Sequence, residues 1–234
     1  MEDNKALLIE VFGESSEDEQ SPSKNESPPN HCWERIEEIE GLWLCRDFLS
    51  PQQQSSLISA IQEERWFTEA SHNQAMRFGD LPAWAIELSA SIHEVVLSSN
   101  YAVDDGKDEP CPFPPDLLWR EPLFDQLIVN VYHPGEGICA HVDLMRFEDG
   151  IAIVSLESSC VMHFSSVEGT ISDVESNKIP IHLTPGSLVL MSGEARYAWK
   201  HEINRRPGFQ KWEGQEIHQR MRTSVTLRKL RQVD

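Results

Sequence analysis

The second half of the chain is a succession of short apolar segments separated by turn residues, and this pattern restricts the fold more than any other feature. Each segment has five to eight residues and is rich in valine, isoleucine and leucine, a composition typical of β-strands. The segments span residues 126–132, 138–142, 151–156, 160–164, 179–183, 186–191 and 221–228. Strands this short and this frequent predict a β-sandwich or barrel.

Two helices are predicted before these strands. Ser50 can cap the first helix, with Pro51 at its first position and Gln53 completing a capping box. The second helix starts after Asp80 and carries apolar residues at helical spacing along one face. These are Leu81, Trp84, Leu88, Ile92 and Val95. Helices first and strands afterwards predict an α+β fold in which the helices buttress a sheet.

The charge of the chain is strongly acidic and uneven. The net charge is −19, with 8 Lys/Arg against 24 Asp/Glu in residues 1–120 and 12 against 15 in residues 121–234. This balance does not favour sequence-independent nucleic-acid binding, which depends on lysine and arginine meeting phosphates. The nearly neutral second half leaves room for a local basic patch around Arg205, Arg206 and Lys211.

Composition also divides the chain into three parts. Residues 1–35 are predicted to be a disordered acidic tail, because residues 13–31 are mostly serine, glutamate, proline and asparagine and cannot bury enough apolar surface. Residues 36–120 are predicted to form a strand and helix extension with a shortened lid, and residues 121–234 the core.

The sequence has no apolar run near the roughly 20 residues needed to span a bilayer. Its acidic terminus argues against an organelle presequence, and five cysteines without paired zinc spacing indicate a reduced, intracellular protein. We expect a monomer that does not contact membranes and is located in the cytoplasm, the nucleus or both.

A candidate metal site lies just after the first strands of the core. His141 and Asp143 are separated by one residue, so in an extended chain their side chains leave the same face. A His-x-Asp triplet alone occurs by chance in many loops, but this one follows a strand-like run and a Pro-Gly turn. His201 is the best candidate for a third ligand. Two histidines and one carboxylate form the facial triad of non-haem Fe(II) oxygenases.

The last predicted strand, RTSVTLR, has one polar face. Arg222, Ser224, Thr226 and Arg228 share this face, while the alternating residues are mostly apolar. Two guanidiniums on one face suit a ligand with two carboxylates, because arginine pairs bidentately with carboxylates. A strand with an ordinary solvent-facing polar side is the alternative for this segment taken alone.

Taken together, these motifs resemble the AlkB family of Fe(II)- and 2-oxoglutarate-dependent dioxygenases, most closely its tRNA wobble-uridine hydroxylase branch. The likeness covers roughly residues 40–232 and is strongest after residue 120, in phrases such as GEARYAWKHEI and RTSVTLRKLRQ. It implies a double-stranded β-helix, or jelly roll, backed by amino-terminal helices. It also implies that the chain is an enzyme that uses Fe(2+), 2-oxoglutarate and O2.

The resemblance implies a role for each matching residue. His141, Asp143 and His201 would bind iron. Arg222, assisted by Tyr132, would hold the distal carboxylate of 2-oxoglutarate, and Asn130 and Arg228 would lie near its keto-acid end. Ser224 stands where many relatives carry asparagine, and Thr226 matches the family pattern.

The candidate substrate residues are less similar to the family. Nucleic-acid members clasp a flipped base with an amino-terminal lid, and the matching stretch here, residues 67–84, is short and weakly basic. Its Phe78 matches a family phrase. Met145, next to Arg146, stands where bacterial demethylases carry an acidic residue that reads the base, which argues against 1-methyladenine or 3-methylcytosine as the substrate. Phe78, Met145 and Arg146 are the candidate substrate contacts.

Three functions remain open from the sequence. The chain could hydroxylate or oxidatively demethylate a modified base in tRNA or another RNA, with a partner protein supplying RNA binding. It could act on a protein side chain, which its acidity and short lid would suit. It could also be an inactive scaffold that uses the fold to bind a partner, although the complete triad and both arginines argue against this.

Overall fold

The computed structural model describes residues 33–69, 73–101, 111–168, 178–206 and 208–232. The strands in these ranges are β1 (Trp33–Arg35), β2 (Leu42–Cys45), β3 (Gln74–Phe78), β4 (Gln126–Tyr132), β5 (Ile138–His141), β6 (Ile151–Leu156), β7 (Cys160–Ser166), β8 (Ile179–Leu183), β9 (Leu188–Met191), β10 (Trp199–Ile203), β11 (Lys211–Trp212), β12 (Gln215–Glu216) and β13 (Arg222–Arg228). The helices are α1 (Pro51–Glu63), α2 (Ala83–Tyr101), α3 (Pro115–Leu118) and α4 (Gly193–Tyr197).

Two antiparallel sheets face each other. The major sheet has seven strands in the order β1-β2-β9-β6-β13-β4-β3, and the minor sheet has four in the order β5-β10-β7-β8. Strands that follow one another along the chain repeatedly cross from one sheet to the other, which is the jelly-roll arrangement. The predicted α+β fold with a double-stranded β-helix core is therefore confirmed.

The major sheet is buried on both faces. On its outer face, Val225 and Leu227 of β13 pack in one apolar cluster with Leu57 of α1 and Leu88 of α2. On its inner face, residues of β6 and β9 pack against β7 and β10 of the minor sheet in a second cluster that includes Phe164. The predicted role of the two helices as a buttress is confirmed, and the polar face of β13 is left pointing between the sheets.

The first helix begins as the sequence predicts. Ser50 accepts a hydrogen bond from the backbone N–H of Gln53, and the Gln53 side chain accepts one from the backbone N–H of Ser50. This capping box satisfies two backbone donors that a helix start would otherwise leave free. It fixes the entry of α1 onto the sheet, where Leu57 and Ile61 are buried.

The amino-terminal extension is part of the major sheet rather than an addition to it. Strand β1 occupies the last three residues of the predicted tail and pairs with β2, while β2 pairs with β9 across four buried residues. The rest of the predicted tail, residues 1–32, lies outside the described residues. Its boundary at residue 35 is wrong because Trp33 packs on the outer cluster.

Part of the stretch predicted as a lid forms an edge strand of the major sheet. Strand β3 pairs with β4 along all five of its residues, and Trp84 is buried in the core. Apolar Met76 and Phe78 occupy exposed positions of β3 while Arg77 is partly buried, so the sequence does not show the alternation that would indicate a strand. Residues 70–72 of this stretch are not described. Among the helices described, none is long and apolar enough to cross a membrane.

Candidate active site

Three side chains with metal-ligating atoms meet at one end of the minor sheet. His141 ends β5 and lies directly opposite His201 of β10 in the register of the two strands, and Asp143 follows two residues later. One ligand atom from each residue lies within 4.8 Å of the others, and the two imidazole ring centres are 4.3 Å apart. The sequence-predicted triad is therefore brought together by the pairing of β5 with β10.

The two imidazoles are held in orientations that suit metal binding. Nδ1 of His141 lies 2.9 Å from the carbonyl oxygen of Cys139. This contact favours a proton on Nδ1, which leaves the lone pair of Nε2 free to bind a metal. Burial lowers the pKa of His201 to about 4 against the opposing effect of Asp143, so His201 is neutral near pH 7. Its Nε2 lies 3.7 Å from Oδ2 of Asp143. Because the ring of His201 is neutral, these two atoms do not form an ion pair, and both can bind a metal ion.

The loop that carries Asp143 is fixed by an arginine that the sequence analysis did not single out. Arg196 of α4 is 1% exposed, and its guanidinium donates to the carbonyl oxygens of Asp143, Leu144 and Phe147 at 3.0, 2.9 and 3.3 Å. Arginine is well suited to this task because its fork of donors can satisfy several carbonyls at once. The phrase GEARYAWKHEI contains Arg196, but nothing local in it shows that the side chain is buried.

A narrow cavity of about 30 Å³ lies between the sheets and is lined by His141 and His201 of the triad. Its polar wall comes from β13 and β4. The residues concerned are Asn130, Tyr132, Arg222, Ser224, Thr226 and Arg228. All six predicted 2-oxoglutarate contacts therefore lie on one cavity, because the register places Arg222 opposite Tyr132 and Ser224 opposite Asn130.

One end of this cavity carries an arginine with unused donors. Arg222 is 1% exposed and donates from Nε to Oγ of Ser155 at 2.9 Å. Its Nη2 has no partner among the residues described. The guanidinium carbon lies 5.5 Å from the centre of the Tyr132 ring. A buried cation with a free donor is unfavourable unless an anion accepts its hydrogen bond and balances its charge. This end of the cavity therefore fits a carboxylate.

The other end lies beside the triad. Nη2 of Arg228 is 2.5 Å from Oδ1 of Asp143, and its Nη1 donates to Oε1 of Gln126 at 3.2 Å. The Nε of Arg228 is buried and unpartnered within the described ranges. Oδ1 of Asn130 accepts from Gln74 at 2.6 Å. Free donors at both ends and three converging ligands fit a metal ion and a diacid.

The candidate substrate residues form an exposed rim beside the loop that carries Asp143, and none of them lines the cavity. Phe78 is 46% and Met145 59% exposed. The Arg146 guanidinium carbon lies 5.6 Å from the centre of the Phe78 ring and 5.1 Å from that of Phe147. Leu144, which the sequence analysis did not name, is also exposed. The structure therefore brings Phe78 of β3 together with the loop that follows Asp143.

The basic patch for which the sequence leaves room could include only two of the three residues named. Arg206 and Lys211 are exposed, but Arg205 is 7% exposed and lies inside the protein. A surface assignment for consecutive arginines rests on the usual preference of arginine for water. It fails here because Arg205 follows β10 at the spacing of the inward-facing residues His201 and Ile203.

Comparison with known proteins agrees with this geometry. The sequence profile of the 2OG-Fe(II) oxygenase superfamily matches residues 41–228. A tRNA (carboxymethyluridine(34)-5-O)-methyltransferase, alkbh8, of Xenopus tropicalis is 32% identical over 221 residues, covering 82% of this chain and 32% of the relative. The alkylated DNA repair protein ALKBH8 homolog of Arabidopsis thaliana is 29% identical over 222 residues, covering 82% of this chain and 59% of the relative. The chain thus spans less than two thirds of the length of either relative.

A solved structure of OsALKBH1 has a similar fold. It superimposes with a TM-score of 0.57 over 81% of this chain and 98% of that one, at 16% sequence identity. At this identity the likeness concerns the arrangement of sheets and helices alone.

Proposed function

Because the chain belongs to the 2OG-Fe(II) oxygenase superfamily, we propose that it hydroxylates or oxidatively demethylates a modified base in tRNA or another RNA. The relatives confirm the resemblance to AlkB proteins, and with it an Fe(II)- and 2-oxoglutarate-dependent dioxygenase. The cofactors of such an enzyme are Fe(2+), 2-oxoglutarate and O2 as co-substrate. The convergence of His141, Asp143 and His201 is the observation that carries the proposal.

His141, Asp143 and His201 would hold the iron from one side. Their ligand atoms are two imidazole nitrogens and one carboxylate oxygen, the set that leaves open positions for an oxo acid and dioxygen. When bound, the metal and 2-oxoglutarate supply oxidative decarboxylation coupled to hydroxylation of a C–H bond. The protein contributes orientation: Arg228 and Arg196 hold the carboxylate and the backbone of Asp143.

The cavity between the sheets would hold 2-oxoglutarate. Arg222 would bind the distal carboxylate with its free Nη2, and Tyr132 stands beside it. Asn130 and Arg228 would lie near the keto-acid end, next to the triad. Ser224 and Thr226 lie on the wall between them. The apolar side of the cavity, with Ile153, Met162 and Ile203, would exclude water from the aliphatic part of the diacid.

The substrate class is supported by the rim and by the names of the relatives. Phe78, Met145 and Leu144 offer an exposed apolar surface beside the loop that carries Asp143, and Arg146 stacked on Phe78 adds a cation. Aromatic and guanidinium planes bind unstacked bases by stacking and cation–π contact. The frog relative is named for carboxymethyluridine 34 of tRNA. The acidic charge of the chain leaves room for a partner protein that binds the RNA backbone.

A nucleoside comparison tests the substrate. Total tRNA from cells that lack the protein would be incubated with purified enzyme, Fe(2+) and 2-oxoglutarate, digested, and analysed by mass spectrometry. We expect one nucleoside to gain an oxygen, or to lose a methyl group with release of formaldehyde. Asp143→Ala protein is the matched control. An unchanged nucleoside profile of tRNA and other RNA would contradict an RNA substrate. If succinate were still formed on addition of peptides, a protein side chain would be favoured as the substrate.

A further inference from the structure

Arg205 does not itself line the cavity, but it is buried near Arg222 and Tyr132 of its wall, and its side chain has no hydrogen-bond partner among the described residues. It is 7% exposed, and its Nε, Nη1 and Nη2 atoms are all without a partner in the part of the chain that the structure describes. A buried guanidinium normally satisfies its five N–H donors. Three unused nitrogens in a buried side chain leave Arg205 able to bind a partner from outside the residues that the structure describes.

The backbone around Arg205 holds this side chain in place. Its carbonyl oxygen accepts a hydrogen bond from Nε2 of Gln219 at 3.1 Å. Gly137 lies against its stem: a Cβ there would come 3.1 Å from Cγ of Arg205 and 2.0 Å from the carbonyl oxygen of Ile203. The absence of a side chain at Gly137 thus allows the turn before β5 to pack on Arg205. The buried position of the guanidinium is built by contacts from two other segments.

The charges around Arg205 are mainly positive or neutral. Burial lowers the pKa of Arg205 most, Cys160 raises it, and the nearby charge of Arg222 lowers it again, while Tyr132 and Glu136 raise it by less. Glu136 is the only carboxylate among these neighbours, and it accepts a hydrogen bond from the backbone N–H of His133 instead. No described carboxylate lies within ion-pair distance of Arg205 or Arg222. Two neighbouring buried guanidiniums therefore lack an anion.

We propose that Arg205 provides a second guanidinium for the distal carboxylate of 2-oxoglutarate, opposite Arg222. The proposal rests on the 2-oxoglutarate site of the proposed function and deepens it. One carboxylate has about four lone-pair sites, enough for Nη2 of Arg222 and for two donors of Arg205. Its negative charge would offset the repulsion between the two arginines. Arg205 is then a residue that makes the site specific for a diacid over an oxo acid with an uncharged tail.

Ligand binding without turnover tests this role. Protein loaded with Mn(2+) would be titrated with 2-oxoglutarate by calorimetry, as wild type and as Arg205→Met, which removes the charge but keeps much of the volume. We expect Arg205→Met to bind 2-oxoglutarate about 10- to 100-fold more weakly, the range for a lost charged hydrogen bond. Arg206→Met, an exposed neighbour, is the matched control and should bind like wild type.

A second ligand separates this role from a structural one. 2-Oxobutyrate has the same oxo-acid end but no distal carboxylate, so its own dissociation constant, measured by calorimetry, should be the same for wild type and Arg205→Met. Equal affinity of Arg205→Met and wild type for 2-oxoglutarate would overturn the role of Arg205 alone. If Arg205→Met bound 2-oxobutyrate and 2-oxoglutarate more weakly by the same factor, the role of Arg205 at the distal carboxylate would also be overturned. Failure of the wild type to bind 2-oxoglutarate would overturn the site itself.

The unfolding temperature provides a check on folding. Without ligand, Arg205→Met should be at least as stable as wild type, because one of two repelling buried charges is gone. Addition of 2-oxoglutarate should then raise its unfolding temperature less than that of wild type. If Arg205→Met does not fold, Arg205→Lys takes its place. Lysine keeps the charge and loses the planar fork, so an affinity for 2-oxoglutarate equal to that of wild type would overturn the proposal.

Discussion

Arg228 binds one oxygen of Asp143 and leaves the other facing the imidazoles. Its Nη2 lies 2.5 Å from Oδ1, while Oδ2 is 3.7 Å from Nε2 of His201. The carboxylate can therefore offer a single oxygen to a metal between the two histidines. Arg228 thus orients a proposed iron ligand in addition to its proposed place near 2-oxoglutarate.

Replacing Arg228 with glutamine should weaken metal binding even when 2-oxoglutarate is absent. The carboxylate would lose a charged hydrogen bond and could rotate, and loss of a partner that orients a metal ligand typically lowers affinity about 10- to 100-fold. Competition with a chelator measures this affinity for Fe(2+) in the absence of oxygen. Arg228→Lys should restore part of it. Unchanged affinity in Arg228→Gln would show that Asp143 is oriented without Arg228.

Replacing Arg196 with methionine should destabilise the whole protein. The carbonyl oxygens of Asp143 and Phe147 would lose their donor inside the fold, whereas that of Leu144 would keep the backbone N–H of Phe147. Each buried unsatisfied group costs about 1–3 kcal/mol, so we expect a loss of about 2 kcal/mol or more in the free energy of unfolding. Urea denaturation measures it, with the exposed Arg206→Met as control. A loss below about 1 kcal/mol would refute the structural role of Arg196.

The free energy of unfolding of the metal-free protein should decrease as the pH is lowered, because His201 takes up a proton on unfolding. The pKa of His201 in the fold is about 4, below the ordinary value of 6.5. Between these values the unfolded chain binds a proton that the folded chain does not. The stabilisation is thus complete above pH 6.5 and is lost as the pH falls toward 4, by about 3 kcal/mol at most.

The variant His201→Gln isolates this effect. Its free energy of unfolding should decrease less between pH 6.5 and 4 than that of the wild type, because glutamine takes up no proton. Both proteins would be studied by urea denaturation at several pH values without metal. Parallel pH dependences would contradict a neutral, buried His201.

Replacing Phe78 with alanine should weaken binding of the RNA substrate without affecting the metal site. Phe78 lies at the rim and contacts Arg146, not the triad. We expect Phe78→Ala to raise the KM for tRNA about 10-fold, the effect of losing about one stacking contact. Succinate formation without substrate should be unchanged. An unchanged KM for tRNA would remove Phe78 from the substrate site.

The sequence predicts the core strands and the triad because their signals are local. In β13 the alternation of polar and apolar residues matches the two faces of a strand, and Val225 and Leu227 do pack outward under the helices. His141 and Asp143 share a face through their spacing alone. The capping box at Ser50 is likewise contained in four consecutive residues.

The remaining features depend on contacts between distant segments. Arg196 and Arg205 are buried because carbonyls and glycines from other parts of the chain surround them. Strand β3 forms because β4 offers it an open edge, although only Ala75 turns inward. Residue types and spacing do not contain this information, since arginine and short polar segments are most often exposed.

Iron binding by the triad variants tests the central claim most directly. Purified protein would be equilibrated with Fe(2+) without oxygen, and the bound metal measured per chain for wild type, His141→Ala, Asp143→Ala and His201→Ala. The exposed His133→Ala is the matched control, and the unfolding temperature verifies folding. We predict one iron per chain in the wild type and the control and a loss of tight binding in each triad variant. A folded Asp143→Ala or His201→Ala protein that still binds one iron tightly would contradict the account.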